Sequence, residues 1–287
     1  MEDIIYRQMA AEQDQHWWFL ARRHILARLI ANLGLGHHVR EAPERDTPMQ
    51  AFSSVLEIGC GPGGNLPMLA RFGPLCAVEM HDYALSMARQ RAPSADIQRG
   101  WLPDHLPFAG RQFDLIGLFD VLEHVQDDQA ALATVRARLA PGGIAILTVP
   151  AYAWLYGDHD RAHGHYRRYT AASLRQKAQA AGLQPVRIGY FNTLLFAPIA
   201  IARLLARLRR PGGRSTRNTN CAQKSHTTSA SAPTSDGVKS DASLPPPWLN
   251  SLLMRIFAAE AAIIPRWFFP FGVSVLAVLR HPGARNP

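Results

Sequence analysis

The chain has 287 residues, with 31 Lys and Arg against 22 Asp and Glu for a net charge of +9, and an apolar share of 47%. That length holds one full α/β core with additions, and the apolar share excludes a disordered or fibrous protein. Cys60, Cys76 and Cys221 form no C-x-x-C pair, which argues against a disulfide framework and for a reducing, cytoplasmic setting.

The first residues, Met1-Glu2-Asp3-Ile4-Ile5, are acidic and carry no apolar signal core, so no export is expected. Residues 15–30 have helical spacing and an aromatic block at Trp17, Trp18 and Phe19; packing accounts for the aromatics, while Arg22 and Arg23 are available to a substrate. Residues 34–50 read as a loose connection. An apolar strand at Val55-Leu56-Glu57-Ile58 then runs into Gly59-Cys60-Gly61-Pro62-Gly63-Gly64, and a helix opens near Asn65. Glycines at 59, 61 and 63 allow positive φ and close backbone approach to a ligand. Gly59, Gly61 and Gly64 also satisfy the dinucleotide-binding pattern, a weak signal without its strand and helix. A helix over 67–72 and a second buried strand, Leu75 to Glu79, supply that context. Glu79 stands where an acid about 20 residues past the loop can bind both ribose hydroxyls.

Further strands follow at Asp96 to Arg99, leading into Gly100-Trp101-Leu102, and at Phe113-Asp114-Leu115-Ile116, leading into Asp120-Val121-Leu122-Glu123-His124. Leu139-Ala140-Pro141-Gly142-Gly143 precedes a strand from Ile144 to Val149. With Glu57 two residues before the first glycine, these motifs resemble the class I S-adenosylmethionine-dependent methyltransferases, and most closely the type 11 branch that includes the ubiquinone-pathway O-methyltransferases. The resemblance spans residues 53–190. It implies an α/β fold, a Rossmann-like doubly wound seven-stranded sheet whose last strand is antiparallel, with a helical cap over the cofactor cleft. It implies S-adenosylmethionine as cofactor, held by Glu57, Gly59, Gly61, Gly63, Asn65, Glu79, Met80, Trp101, Leu102 and Asp120. Many relatives have Asp where Trp101 stands; the indole cannot accept a bond from the adenine amine, although it can stack on the ring.

Open α/β sheets bind ligands beyond the carboxyl ends of their strands, so the acceptor chemistry is expected from 120–124 and 150–169. His124, and after it His159, are the candidate general bases for a hydroxyl acceptor. Tyr152, His165, Arg167, Arg168 and Tyr169 are the candidate substrate contacts, with the arginines suited to a carboxylate or phosphate. Arg168 has a structural alternative in a pair with Asp160. A metal site from His159, Asp160, His163 and His165 is conceivable, but loop flexibility and the lack of cysteine ligands weigh against it, and no metal is expected.

The charge surplus lies at the C-terminal end. Residues 191–287 carry 12 basic and 3 acidic side chains, while residues 1–190 are nearly balanced. The apolar run Thr193 to Ala202 is followed by six arginines from Arg203 to Arg217, a pattern suited to an anionic membrane surface. The run is too short to span a bilayer. Residues 251–264 read as an amphipathic helix and 271–279 as a strand, which pairs with 185–190 as the sixth and seventh strands of the implied sheet. The expected organisation is a cap over 1–50, a core over 51–190, an insertion over 191–270 whose stretch 211–247 is disordered, and a final strand and tail over 271–287.

Together these features point to transfer of a methyl group to a hydroxyl or acid oxygen of a lipid-like or apolar small molecule, by a cytoplasmic protein able to rest on the inner face of the membrane. No obligate protein partner is expected. The alternatives are a silent S-adenosylmethionine-binding membrane adaptor, an RNA methyltransferase and a nicotinamide-dependent dehydrogenase. Nucleic acid is disfavoured because the basic segment brings no aromatic-lined groove, and the dehydrogenase because it leaves the Asp120-to-His124 motif unexplained.

Overall fold

The computed structural model describes residues 3–34, 49–208 and 244–283. Strands β1 (Val55–Ile58), β2 (Leu75–Glu79), β3 (Asp96–Arg99), β4 (Phe113–Phe119), β5 (Leu139–Pro150), β6 (Gln184–Phe191) and β7 (Ser274–Arg280) form one sheet in the order β3-β2-β1-β4-β5-β7-β6. The first five run parallel, and β7 lies antiparallel between β5 and β6. The seven-stranded sheet with its reversed last strand is therefore present as expected.

Central strands β1, β2 and β4 are buried along their whole length, as parallel strands covered on both faces must be. Side chains alternate between faces. Val55 and Ala77 join one core layer with α2 (Trp17–Gly34), α3 (Leu66–Leu69), α4 (Asp82–Arg91) and α9 (Pro247–Ala258). Leu56, Ile58 and Val78 join the other with α5 (Asp128–Arg138) and α7 (Ala171–Ala180). The Pro141-Gly142-Gly143 turn is absorbed as an irregularity in β5: pairing with β4 steps from Phe113 opposite Leu139 to Leu115 opposite Ile144. Gly142 takes φ 72° there, a conformation glycine adopts without a Cβ penalty.

Two features surround the mouth of the sheet. At the N-terminal end, α1 (Asp3–Glu12) packs on α4 and α2 packs on α9. The contact with α9 is polar as well as apolar: the Asn250 side chain accepts from Trp17 N and donates to Gln15 O, at 2.9 and 2.8 Å. After β6, the chain turns into α8 (Phe196–Leu208). Glu260, buried in the 3-10 turn Ala259–Ala262 that follows α9, accepts the N–H groups of Asn192, Thr193 and Leu194 at 2.7, 2.6 and 3.0 Å. It anchors the strand-to-helix turn. The predicted helix over 251–264 is thus a shorter helix plus this turn. Among the described residues no helix is long and apolar enough to cross a membrane. The segment expected to be disordered, 211–247, lies outside the described residues apart from its last four, as does most of the connection over 34–50.

Candidate functional site

Every parallel strand delivers its carboxyl end to one rim of the sheet, and a cleft of about 1730 Å³ opens there. Its floor is the glycine loop after β1. Gly59, Gly61 and Gly63 take φ values of 73°, 54° and 86°. A Cβ on Gly59 would stand 2.6 Å from Val121 Cγ2, and one on Gly63 would stand 2.8 Å from Ala88 Cα. Gly63 therefore serves close packing of the loop on α4 and does not line the cleft, whereas Gly59 and Gly61 do.

Glu79, at the end of β2, holds this loop open. One carboxylate oxygen accepts Gly61 N–H at 2.7 Å, and the other accepts Met80 and His81 N–H, each at 2.9 Å. The Tyr6 hydroxyl from α1 also bonds to Glu79, and its ring stacks on His81 with centroids 4.1 Å apart. Burial pushes the Glu79 carboxyl above its ordinary range even though these N–H donors oppose the shift. Glu57 sits behind the loop, 1% exposed. One oxygen accepts Asn65 Nδ2 at 2.7 Å, the other has no partner among the described residues, and burial raises its pKa to about 8.

Of the other expected cofactor residues, Asn65, Met80, Trp101, Leu102 and Asp120 line the cleft. Trp101 is 43% exposed, with its ring 4.6 Å from that of His105. Asp120 takes φ 59° and pairs with Arg22, whose guanidinium lies 4.2 Å over the Trp18 ring. Residue reading alone missed Tyr6 and Gln13. Gln13 Nε2 and Arg23 Nη1 are buried without hydrogen-bond partners among the described residues, and both side chains crowd Gly64, whose Cβ would meet them at 2.2 and 3.1 Å. These are donors waiting on the cleft wall above the glycine loop.

The opposite wall carries Glu123, His124, His159, His163, His165 and Arg168. Glu123 and His124 lie in the 3-10 turn Leu122–His124 after β4, and the histidines of 159–165 lie in and after α6 (Asp158–Ala162). Asp160, fully buried, organises this segment: it accepts from Gly157 N at 2.8 Å, pairs with His165 Nδ1 at 2.9 Å, and receives Arg168 Nε and Nη2 at 2.8 and 2.9 Å. Although burial works the other way, those bonds hold its carboxyl below the usual range. Burial above all lowers both His124 and His159 to about 3, which keeps their rings neutral near pH 7.

The structure separates the expected substrate contacts. His165 and Arg168 line the cleft, while Tyr152, Arg167 and Tyr169 do not. Tyr152 stacks on Tyr190 with centroids 5.1 Å apart. Arg167 and the Tyr169 hydroxyl turn to Asp128 at the start of α5, at 2.8 and 2.9 Å, where Lys177 joins them at 2.8 Å. Arg168 adopts the pairing with Asp160 that its sequence alternative described.

A family model described as a methyltransferase domain matches residues 19–188, more than half of the chain. Trans-aconitate 2-methyltransferase of Deinococcus radiodurans is 28% identical over 174 residues, covering 58% of this chain and 63% of that protein. Ubiquinone biosynthesis O-methyltransferase of Methylobacterium nodulans is 32% identical over 111 residues, covering 37% and 44%. The matches thus span less than two thirds of these relatives. Among solved structures, a chain of the Haloferax volcanii complex containing the Trm112 methyltransferase activator aligns over 99% of this chain and 97% of its own, with TM-score 0.54 and 17% identity. The [4+2]-cyclase SpnF aligns over 91% and 81%, with TM-score 0.50 and 18% identity. At such identities the likeness speaks for the fold alone, and a cyclase among the neighbours shows that this fold does not dictate one reaction. The sheet order, the glycine loop and the match over 19–188 together place the chain in the methyltransferase-domain family.

Proposed function

We propose that this protein transfers a methyl group from S-adenosylmethionine to an oxygen of a lipid-like or apolar small molecule. The observation that carries the cofactor half is the glycine loop bonded to Glu79, with the unpartnered Gln13 and Arg23 donors beside it. The group fits these residues. Ribose hydroxyls suit Glu79, in competition with Tyr6 and the loop N–H groups. A carboxylate suits Gln13 Nε2 and Arg23 Nη1, and an adenine face suits the exposed Trp101 ring. Glu57 is assigned to bracing the loop through Asn65.

When bound, the cofactor supplies a methyl carbon activated by its sulfonium. Little covalent help is then needed, and the residues of the cleft align the acceptor and exclude water. Arg168 and His165 are assigned to acceptor contact. Proton removal, where an acceptor hydroxyl requires it, is assigned to His124 and then His159, whose burial keeps them neutral but also makes them weak bases.

Support for an apolar acceptor comes from α8 and its surroundings. Ile199, Ala202 and Arg203 line the cleft, while Ile201, Leu204 and Leu205 are exposed on the same helix, and Trp248 and Trp267, later in the same proposed insertion, are 69% and 75% exposed. Exposed apolar groups beside arginines favour contact with an anionic lipid surface. In the proposed organisation, α1 and α2 of the cap and α8 of the insertion enclose one mouth above the core.

The test is calorimetric titration with S-adenosylmethionine, its demethylated product and NAD, with and without anionic liposomes. Binding of both sulfur ligands and not NAD supports the reading, co-sedimentation with liposomes supports the membrane contact, and methyl incorporation into extracted lipid supports the lipid acceptor. Failure of both sulfur ligands to bind would overturn it.

A further inference from the structure

We propose that Glu123, His124 and His165 form a binding site for a divalent first-row transition metal, open to the cleft. One ligand atom from each lies within 4.8 Å of the other two. Ligands about 2.1 Å from a common ion stand roughly 3–4 Å apart, so closing on a cation takes side-chain movement of about an ångström or less.

Three independent features make this a built site. Glu123 is 0% exposed, and neither of its oxygens has a hydrogen-bond partner among the described residues. Arg22 and Arg168 act on this carboxyl electrostatically without bonding to it, so a cation held directly by its oxygens would complete it. His165 Nδ1 is held by Asp160 Oδ1 at 2.9 Å, which leaves Nε2 as the coordinating atom; the carboxylate–histidine–metal relay has this form. The backbone of His163 hydrogen-bonds the His124 ring, which orients the second imidazole. The two carriers are also tied together, since Tyr166 N–H donates to Glu123 O at 2.8 Å and seats His165 beside the turn after β4.

Two imidazoles and one carboxylate favour zinc, iron or manganese over magnesium, which prefers an all-oxygen shell. All three residues line the cleft, so the remaining coordination positions face the space assigned to the acceptor. A cation there would polarise an acceptor oxygen and commit the lone pairs of His124 and His165 to the metal. His165 would then reach the acceptor only through the ion, while Arg168 would keep direct contact and His159 would be the available base. Metal binding is separable from methyl transfer: the site can hold an ion even if the cofactor assignment fails.

The experiment uses full-length protein with its purification tag removed and stripped with chelator, titrated with Zn²⁺, Co²⁺ or Mg²⁺ alone. Binding is read by equilibrium dialysis with elemental analysis, and by the visible absorption of bound Co²⁺. A single zinc per chain is expected, with affinity at least about tenfold weaker in both Glu123→Gln and His165→Gln and unchanged in His105→Gln. Circular dichroism identifies any variant that has not folded, and the other variant then decides. The proposal is overturned if wild-type protein retains no zinc or cobalt, if only Mg²⁺ binds, or if a folded ligand variant binds as wild type does.

Discussion

Glu57→Gln tests whether the acid before the glycine loop is neutral in the folded protein. Its carboxyl is buried, with Asn65 donating to one oxygen and nothing among the described residues facing the other. Burial outweighs the Asn65 bond and carries the pKa from its ordinary 4.5 to about 8. Because the folded pKa lies above the unfolded one, the stabilising contribution is complete below 4.5 and is lost as pH rises through about 8. Unfolding releases the proton throughout that window, so stability falls by about 1.4 kcal/mol per pH unit, on the order of 5 kcal/mol across it. Glutamine keeps an acceptor for Asn65 and has no proton to lose. Wild type and variant should therefore be nearly equal at about pH 5, with the variant the more stable by several kcal/mol at about pH 8. Urea unfolding of the cofactor-free proteins across this range measures the difference. A difference that does not change with pH would refute the reasoning, since Glu57 would then have the same proton affinity folded and unfolded.

Gly63→Ala should destabilise by about 1–3 kcal/mol, because its Cβ would press on Ala88 Cα while the backbone holds φ 86°; an unchanged urea midpoint would contradict the packing role. Glu260→Ala should cost on the order of 3–5 kcal/mol by stripping three N–H groups at the turn into α8 of their acceptor. Amide exchange should rise first at Asn192, Thr193 and Leu194, and equal protection in the variant would show that another group holds the turn. Asp128→Asn should weaken the joint anchorage of Arg167, Tyr169 and Lys177 and lower the urea midpoint without changing cofactor affinity. A selective loss of cofactor affinity would instead connect that cluster to the cleft.

The sheet was legible because its strands are short apolar runs set between breakers, and because the parallel order follows from the strand–helix alternation. Even the reversed pair β6 and β7 was visible, despite the long segment between them, once 271–279 was read as a strand. Helix ends were less legible. The predicted helix over 67–72 is the single turn α3, which Pro67 opens and which gives way after Leu69 to a turn where Phe72 N–H donates to Leu69 O. Tyr6 and Gln13 escaped notice for a different reason. Nothing local marks them as ligand-facing, and only the packing of α1 on α4 brings Tyr6 to Glu79.

The run His165 to Tyr169 shows how a motif can be read correctly in chemistry and wrongly in direction. Three adjacent polar residues, Arg167, Arg168 and Tyr169, look like one ligand-binding cluster when taken by composition. The chain is extended there: Tyr169 bridges Ala151 beside β5, with Tyr169 N–H donating to Pro150 O and Tyr152 N–H to Tyr169 O. Extended backbone sends alternate side chains to opposite sides. Arg168 therefore goes to Asp160 and the cleft, while Arg167 and Tyr169 go together to Asp128 and α5. His165 and Asp160 meet across the turn between them, so the side that holds Arg168 also gathers the imidazoles opposite Glu123. Alternation, more than residue type, divides this segment into one part that faces the chemistry and one part that fastens it to the core.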